Sequence, residues 1–255
     1  MSQGRAVVVT AAAAGIGRAV ANAFVANGDR VHICDINADA LEEVTATRPS
    51  ITSSVCDISD SDAVETFIGD AAERLGGVDV LVNNAGVAGP TAPVEQLERQ
   101  QWAAVLAVNL TGTFTVTQCA IPHLKQSEAG VIINMSSVGG RFGYPERSPY
   151  ATTKRGVIAF TETLALELGA DGIRVNAIAP GAVAGERIDR VLRGRAESSG
   201  RTVEEVTADA LANQALKYFV DPDDIAALAL FLASPNARSI SGQTIAIDGF
   251  SKAAQ

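Results

Sequence analysis

Residues 6–17, AVVVTAAAAGIG, decide the fold of this chain. The apolar run at 6–10 is typical of a buried strand, and the apolar residues after Gly15 recur at helical spacing over 15–27. Glycines at a strand-to-helix turn let the main chain approach a pyrophosphate, whose charge the helix N-terminus favours. The segment predicts the opening of a dinucleotide-binding α/β fold, although any tight turn between a strand and a helix could use such a glycine pair.

The same alternation of short β-branched runs and longer helical patterns continues along the chain. Further strands are predicted at 30–34, 51–56, 78–82, 131–135, 174–178 and 244–247. Helices are predicted at 38–46, at 62–75 with Ser59 or Ser61 as N-cap, at about 101–125, and around 150–168. Nearly continuous apolar strands between helices indicate an α/β protein with a single-domain, Rossmann-like doubly wound parallel sheet and helices on both faces.

One segment breaks this alternation. Residues from about 182 to 221 are polar and helical without a strand, and they follow the Pro180-Gly181 step after a strand. Long excursions from the carboxyl ends of parallel strands commonly carry function. We therefore expect one domain over residues 1–255, with a substrate lid at about 182–221.

Composition narrows the class of function. The chain has 255 residues, 47% of them apolar, and a formal net charge of −9, which argues against nucleic-acid or anionic-membrane binding. The first apolar run is too short for a signal peptide or a membrane span. Cys34, Cys56 and Cys119 are scattered, and neither His32 nor His123 precedes a nucleophile elbow. These patterns predict a cytoplasmic protein with no metal site and no disulfide framework, and they do not indicate a hydrolase.

Asp35 indicates which cofactor the chain would bind. It ends the second strand, twenty residues after Gly15. An acid at this place accepts hydrogen bonds from the ribose of NAD and repels the 2′-phosphate of NADP, although it could also be a polar residue that merely ends a strand. Asp57 ends the third strand in the same way and could face the adenine. The small residues at 83–86 come at the end of the fourth strand. They could form a loop that faces the cofactor, or they could be a plain turn.

Tyr150 and Lys154 are the candidate reactive pair. Residues four apart project from one face of a helix, so the phenol and the ammonium should be neighbours. A nearby cation favours a phenolate, which can exchange a proton with an alcohol. The pair alone is more often an exposed pair on a helix surface, and its meaning depends on the rest of the chain.

Taken in order, these residues resemble the short-chain dehydrogenase/reductase family over essentially the whole chain. The resemblance rests on the glycine turn at 10–17, Asp57, residues 83–86, Asn109 in VNLTG, Ser136-Ser137, Tyr150 with Lys154, Pro180-Gly181, and the closing Ser241-Gly242-Gln243 and Asp248-Gly249. Each piece is weak alone. The ordered set, with Ser137 thirteen residues before Tyr150, is specific.

The resemblance implies an NAD-dependent oxidoreductase that transfers a hydride between nicotinamide and a secondary alcohol or ketone. Tyr150 would give or take the proton, Lys154 would tune Tyr150 and hold the nicotinamide ribose, and Ser137 would hydrogen-bond the reacting oxygen. Asn109 would help hold a water that links Lys154 to solvent, whereas Ser136 keeps a structural role. The cofactor would be bound by Thr10, Gly15, Ile16, Gly17, Asp35, Ile36, Asp57, Ile58, Asn83, Ala85, Gly86, Tyr150, Lys154, Pro180, Gly181 and Val183.

Two residues depart from the family pattern. Ala11 stands where members usually have glycine, and we expect this position to take an ordinary backbone angle. Ala184 stands near where members often have a threonine that contacts the nicotinamide amide, so that contact would be missing or would come from the main chain. Family members that use NADP usually carry a basic residue where this chain has Ala14 and Ile36, which again favours NAD.

The sequence leaves two other functions open. The first is a nonenzymatic NAD-binding regulator on the same fold, which should have lost part of the catalytic set. The second is an epimerase or dehydratase that keeps its NAD tightly bound after purification.

Substrate identity is open as well. The lid segment carries five arginines, which have two possible roles. They could form a cationic lid that binds a carboxylate or phosphate substrate. Alternatively, they could lie on the solvent-exposed face of a helix whose buried stripe is Ile188, Val191 and Leu192. The arginines are Arg187, Arg190, Arg193, Arg195 and Arg201. Arg141 and Arg147 lie nearer the predicted chemistry and are further candidates for an anionic substrate, with a solvated loop as the alternative.

The resemblance also implies an oligomer. Helices 101–125 and 152–168 form a dimer interface in the family, usually within a homotetramer. Only 19% of the residues are charged, which is consistent with surface buried between subunits, although a tightly packed monomer would have the same composition.

Overall fold

The computed structural model describes residues 4–252, apart from the side chains of residues 187, 195 and 198. Its strands are β1 (Ala6–Thr10), β2 (Arg30–Asp35), β3 (Ile51–Val55), β4 (Val80–Asn83), β5 (Val131–Met135), β6 (Arg174–Pro180) and β7 (Thr244–Ile247). Its α-helices are α1 (Gly15–Ala26), α2 (Ala38–Thr47), α3 (Ser61–Leu75), α4 (Arg99–Leu106), α5 (Thr113–Leu124), α6 (Ser148–Leu168), α7 (Glu186–Ser199), α8 (Val203–Ala212) and α9 (Pro222–Ala233).

The strands form one parallel sheet in the order β3-β2-β1-β4-β5-β6-β7. The chain moves outward from β1 in one direction as far as β3, and then restarts at β4 on the other side of β1. Such a reversal leaves a crevice at the carboxyl ends of the two central strands, where ligands of doubly wound folds bind. The predicted fold class is confirmed, and each predicted strand is present.

Helices cover the sheet on both faces. One face packs against α1, α2 and α9, with Phe24 and Ile225 among its fully buried side chains. The other face packs against α3, α5 and α6, with Phe67 and Leu124 in its core. Burial on both faces explains why the central strands β1, β4 and β5 are almost entirely apolar rather than alternating.

Helix α9 is the one major element that the sequence pattern did not indicate. Its sequence, PDDIAALALFLA, is apolar almost throughout after the first turn, so it has no polar face to mark a helical period. Ile225, Ala229 and Leu232 are buried in the core that includes α1. The predicted cap of α3 was also wrong. Asp60, between the two predicted serines, accepts from the N–H groups of Asp62 at 3.0 Å and Ala63 at 3.2 Å.

The segment Arg99–Leu124 is long and apolar enough to cross a membrane by length and composition. In the fold its two α-helices are joined by a π-helical turn at Ala107–Gly112. Val105, Val116, Ala120 and Leu124 are buried against the rest of the protein. The α5 part of the segment thus packs into the helix layer on one face of the sheet.

His32 is a buried histidine on β2 that the chemistry at the crevice does not use. Its Nδ1 lies 2.7 Å from Thr52 Oγ1, its Nε2 lies 3.0 Å from Ser54 Oγ, and its ring stacks on Phe67. Burial, helped by the Arg74 charge and opposed by Asp70, lowers the pKa of His32 to about 4. The folded protein therefore keeps this imidazole neutral, whereas the unfolded chain binds a proton below about pH 6.5.

We predict that His32 makes the protein sensitive to mild acid. Stability should fall as the pH drops from about 6.5 to about 4, by roughly 3 kcal/mol from this group alone. In His32→Gln that component should disappear, so the variant should lose less stability than the parent over this range. Urea unfolding near pH 7 and near pH 4.5 measures the difference, and equal losses in both proteins would contradict it.

Candidate active site

Hydrogen bonds join the carboxyl ends of β1 and β4 at the reversal of strand order. Thr10 Oγ1 accepts from the main-chain N–H groups of Asn84 and Ala85, both at 3.0 Å. The Asn84 side chain donates in turn to the carbonyls of Thr10 at 3.0 Å and Ala11 at 2.9 Å. The predicted glycine turn and the predicted loop at 83–86 therefore lie side by side at the crevice.

Ala11 adopts a left-handed backbone with φ of +49°, so the expectation of an ordinary angle was wrong. A side chain in this region costs about 1–2 kcal/mol, and neighbouring contacts must hold it there. Asn84 bonds the Ala11 carbonyl, and the following N–H, of Ala12, donates to the Cys34 carbonyl at 3.0 Å. The turn thus keeps a backbone angle that glycine would adopt without strain.

The two glycines of the turn serve different purposes. Gly15 has φ of +55° and open space where a Cβ would stand, so it presents main chain to the crevice. Gly17 is enclosed, because a Cβ there would lie 2.6 Å from Asn84 Nδ2 and would strike the Ala11 carbonyl oxygen. Helix α1 has no side-chain cap bond at Ala14 and no acid in its first turn. Its first N–H groups are thus left to an anionic ligand.

Asp35 lies beside this turn at the end of β2. Its Oδ2 accepts from the Ala13 N–H at 3.2 Å, and its Oδ1 accepts from the Asn37 N–H at 3.1 Å. Each carboxylate oxygen keeps a further acceptor site, which suits a pair of ribose hydroxyls. Ile36, the next residue, is 71% exposed.

The neighbouring residues that are predicted to bind the cofactor are held in place by hydrogen bonds and by packing. Asp57 Oδ1 accepts from both the N–H of Ser59 at 2.9 Å and its hydroxyl at 2.7 Å, which fixes the turn after β3. Ile58 and Ala85 are buried, and Ile16 is half-buried against the core. Their apolar side chains offer flat, water-excluding surface rather than hydrogen bonds.

Asn83 is turned away from the crevice. Its Nδ2 donates to Thr117 Oγ1 at 2.9 Å and to Asn134 Oδ1 at 2.8 Å, both inside the protein. Any contact between Asn83 and a cofactor would therefore come from its main chain. Gly86 lies closer to the chemistry, since a Cβ there would be 3.1 Å from Lys154 Nζ.

The chain leaves β6 at Pro180 and passes into the lid segment. Val183 bridges to Val220, and the Ala184 N–H donates to the Val220 carbonyl at 2.9 Å. This N–H is therefore already bonded. A nicotinamide amide would have to find its partner at another main-chain group.

Tyr150 and Lys154 both lie in α6, as predicted, with one helical turn between them. Lys154 Nζ is 5.9 Å from the centroid of the Tyr150 ring and donates to the Met135 carbonyl at 2.7 Å. Only 4% of Lys154 is exposed. A buried ammonium this close to the ring stabilises negative charge that develops on the phenol oxygen.

Asn109 lies in the π-helical turn, a local irregularity that often marks a functional position. Its Oδ1 accepts from the Val87 N–H at 2.7 Å, and its Nδ2 donates to the Val87 carbonyl at 2.9 Å and to Thr153 Oγ1 at 3.1 Å. A Cβ at Gly86 would lie 3.4 Å from Asn109 Oδ1 and 3.1 Å from Lys154 Nζ. Asn109 and Lys154 thus meet at Gly86.

Ser137 follows β5 and faces the same place. Its Oγ accepts from the Gly139 N–H at 3.1 Å, which leaves its own proton to donate to a ligand oxygen. A Cβ at Gly139 would be 3.3 Å from Tyr150 Cε1, so this turn packs directly on the Tyr150 ring. Ser136 Oγ donates to the Lys154 carbonyl at 2.8 Å, a structural role that matches the expectation.

The arginines near the site have partners of their own. Arg141 lies 3.8 Å from Asp248, and Arg201 on the lid lies 2.6 Å from Asp209. Arg147 is half-buried after an exposed loop, and its two terminal nitrogens donate to Thr91 Oγ1 at 2.7 Å and to the Ala88 carbonyl at 2.9 Å. Its hydrogen bonds are thus made within the protein rather than held ready for a substrate.

The predicted lid at 182–221 forms two helices, α7 and α8, around a small core. Leu192, Ala196 and Val206 are buried there, with Ile188 packed against them. Val191 is 42% exposed, so its place in the predicted buried stripe was wrong. Arg190 and Arg193 are on the wet face. The side chains of Arg187 and Arg195 lie outside the described part of the chain.

Several contacts of the site could not be predicted from the sequence. The Met135 carbonyl that holds Lys154 is a main-chain group without a residue signature, and no spacing in the sequence marks Thr153 as the partner of Asn109. Gly139 and Gly140 were visible as a pair after Ser137. A Cβ at Gly140 would lie 2.7 Å from the Lys154 carbonyl, which is the packing reason for the second glycine.

The crevice fits a nicotinamide dinucleotide. An uncapped helix N-terminus, a glycine turn with open space above it, and a carboxylate one strand away match the pyrophosphate and the adenosine ribose. A buried lysine, a tyrosine and a serine lie together farther along the same crevice. Fold and site together define the class of dinucleotide-binding oxidoreductases.

Comparisons with known proteins agree with this class. A family model described as "Enoyl-(Acyl carrier protein) reductase" matches residues 10–249. The 3-oxoacyl-[acyl-carrier-protein] reductase of Thermotoga maritima is 34% identical over 251 residues, which cover 97% of each chain. A crystal structure of an actinorhodin polyketide ketoreductase mutant with NADPH superposes with a TM-score of 0.91 at 31% identity, and covers 97% of each chain. An NAD+-bound xylitol dehydrogenase gives 0.90 at 29% identity, and covers 98% of this chain and all of the other.

The chain belongs to the short-chain dehydrogenase/reductase family. It is an oxidoreductase that acts on CH–OH groups or the corresponding ketones with a nicotinamide cofactor. This confirms the predicted reaction class, and it favours the enzyme over the regulator and the epimerase or dehydratase.

Proposed function

We propose that the protein is an NAD-dependent dehydrogenase of a small secondary alcohol, with Tyr150 as the residue that exchanges the proton. The observation that carries the proposal is the grouping of the Tyr150 ring, Lys154 Nζ at 5.9 Å and the Ser137 turn at one end of the crevice. Asp35 at the other end supports NAD. The comparisons include proteins with NADPH and with NAD+, so the choice of cofactor rests on the residues of this chain.

Each side chain has a separate task in the proposed reaction. When bound, NAD supplies the hydride acceptor, and in the reverse direction its reduced form supplies the donor. In the oxidising direction the Tyr150 phenolate takes the hydroxyl proton of the alcohol. The Ser137 hydroxyl donates a hydrogen bond to the same oxygen and holds it in place as its charge changes.

Lys154 and Asn109 support the proton transfer. Lys154 stabilises the Tyr150 phenolate and would donate to the nicotinamide ribose. Asn109 fixes the main chain at Val87 beside Gly86 and would help hold a water between Lys154 and solvent. No metal enters the proposed reaction, because the phenolate and the ammonium already provide the base and its stabilising charge.

The preference for NAD is tested at Asp35. The parent should use NAD in preference to NADP, because the Asp35 carboxylate repels a 2′-phosphate. Asp35→Asn keeps an oxygen for the Ala13 N–H and removes the charge. We expect it to raise the ratio of kcat/KM for NADP to that for NAD by about 10- to 100-fold, as loss of one charged contact is worth about 1.5–3 kcal/mol.

Asp39→Asn is the matched control for this measurement. Asp39 is an exposed acid in the first turn of α2 and loses the same charge without touching the turn. Its cofactor ratio should stay at the parent value. A parent that prefers NADP, or an Asp35→Asn variant with an unchanged ratio, would contradict the assignment of Asp35.

Substrate choice is proposed to lie with the lid at 182–221. α7 and α8 share a small core separate from the two sheet cores, as a segment that opens over a substrate requires. A panel of polyols, hydroxy acids and sugar acids, each with NAD and monitored by NADH formation, identifies the class of alcohol. Absence of turnover across secondary alcohols of every type, in both directions, would count against the proposed function.

We further propose a cytoplasmic homotetramer with a dimer interface through the helices at 101–125 and 152–168. These helices expose Trp102, Phe114 and Leu166 at 37%, 46% and 86%, which is apolar surface suited to contact between subunits. Sedimentation equilibrium measures the assembly, and a monomer at micromolar concentration would overturn the proposal.

The three reduced cysteines support a reducing compartment.

A further inference from the structure

Arg147 makes contacts that its hydrogen bonds do not explain. Its Cζ lies 5.7 Å from the centroid of the Tyr150 ring and 5.7 Å from that of the Tyr144 ring. The two rings meet edge to face, with centroids 6.5 Å apart. The guanidinium thus completes a triangle with both aromatic rings, at the distance typical of a cation–π contact.

The charge of Arg147 is not used in an ion pair. Within residues 4–252 its acceptors are the neutral Thr91 hydroxyl and the Ala88 carbonyl, and it forms no salt bridge. Its Nε is buried without a hydrogen-bond partner in that range. A glutamine could anchor the same loop without the cost of desolvating a charge. The positive charge instead faces two phenol rings at equal distance, Tyr144 and Tyr150, and Tyr150 is the one that takes part in the proposed reaction.

Two main-chain hydrogen bonds fix the backbone around Arg147. It is the N-cap residue of α6, and its carbonyl accepts from the Ala151 N–H at 2.9 Å. The preceding residue, Glu146, has a left-handed φ of +61°, and its carbonyl accepts from the Ala92 N–H at 2.9 Å. The loop at 88–92 and the start of α6 are thereby joined, which holds the guanidinium over the ring.

We propose that Arg147 is a positioning residue for Tyr150 and supplies, with Lys154, a second cation that stabilises the phenolate. This inference rests on the proposed role of Tyr150. Besides the Gly139 turn, the charged or titratable side chains of the described residues in ring contact with Tyr150 are Lys154 one turn along α6, Arg147 at the helix start, and Tyr144 from the loop before it. Both charged neighbours are cations, so their effects on the phenolate add.

The test is a titration of Tyr150 that needs no substrate. The near-ultraviolet absorbance of tyrosinate is followed against pH in the parent and in Arg147→Met. The same curve from a Tyr150→Phe counterpart of each protein is subtracted to isolate Tyr150. Arg147 Cζ lies 5.7 Å from the ring centroid, so loss of this unit charge in a partly solvated site should place the curve of Arg147→Met about 0.5–1 pH unit above that of the parent.

The same shift should appear in turnover. The pH at which kcat/KM for alcohol oxidation rises should move by the same amount in Arg147→Met. Activity on the acidic limb should fall by about three- to tenfold and recover at high pH. Arg147→Lys, which keeps the charge, should stay close to the parent. Thr91→Val, which removes only the anchoring hydroxyl, should leave the midpoint in place.

Two results would overturn the inference. One is an unchanged Tyr150 midpoint in Arg147→Met, and the other is an equal loss of activity at every pH. Either would leave Arg147 with a packing role only. These results are distinct from failure of the proposed function, which would appear as turnover in Tyr150→Phe with Arg147 intact.

Discussion

Replacing Tyr150 with phenylalanine should lower kcat by about three to four orders of magnitude. The change removes one oxygen atom and keeps the ring that packs on Gly139 and Tyr144. The lost oxygen is the atom that exchanges the proton in the proposed reaction. With it absent, Ser137 can still hydrogen-bond the substrate, but the proton must pass to water.

Binding of the cofactor separates loss of chemistry from loss of structure in this variant. Because the phenol is at the reacting end of the crevice, NAD affinity measured by calorimetry should stay within a few-fold of the parent. Tyr218→Phe is the matched control, since Tyr218 is 55% exposed and loses the same atom. Its NAD affinity and folding stability should equal those of the parent. Residual activity above about a tenth in Tyr150→Phe would remove Tyr150 from the mechanism.

The second large effect is expected at Gly17, where even a methyl group has no room. A Cβ would lie 2.6 Å from Asn84 Nδ2 and 2.8 Å from the Ala12 Cα, and it would strike the Ala11 carbonyl. Two of these three atoms belong to main chain, so relief requires the turn to move. We expect Gly17→Ala to cost about 2–4 kcal/mol of folding stability, at the upper end for overpacking.

The same distortion of the turn should weaken NAD binding. The Asn84 side chain bonds the Thr10 and Ala11 carbonyls, so displacing it loosens the contact between β1 and β4 at the crevice. NAD affinity should therefore fall by at least about tenfold in any Gly17→Ala protein that folds.

Gly69 provides the matched control for Gly17. It lies in α3, and no atom stands within 4 Å of the place that a Cβ would take, so alanine there meets no clash. Gly69→Ala should stabilise the protein by about 0.5–1 kcal/mol through helix propensity and leave NAD affinity unchanged. Urea unfolding of both variants decides the matter. A Gly17→Ala protein as stable as the parent, with parent NAD affinity, would contradict the packing described for this turn.

Patterns that repeat along the chain predicted the sheet and the order of its elements. All seven strands lie where β-branched runs indicated them, and the central ones give a plain apolar signal because they are buried on both faces. Helix α9 was not predicted because it has no polar face that would reveal a helical period. Asp60 was not predicted as the N-cap of α3 because three neighbouring polar residues, Ser59, Asp60 and Ser61, could each cap that helix.

The site divides in a similar way. Ser137, Tyr150 and Lys154 could be predicted because their spacing along the chain is itself the signal. Arg147 and Ala11 could not, because their roles depend on contacts with distant residues. Arg147 is defined by Thr91 and by two rings, and the strained angle of Ala11 is held by Asn84. Neither set of contacts leaves a mark in the local sequence.

The order of strands in the sheet also bears on how the protein is made. β1 pairs with β2 on one side and with β4 on the other. The second edge of β1 at Val8 is therefore covered only after Leu81 of β4 has been synthesised. At about 5–20 residues per second, a ribosome needs roughly 4–15 s to supply that partner. During this interval the nascent chain presents an open apolar strand edge, which makes its first third the part expected to depend on chaperones.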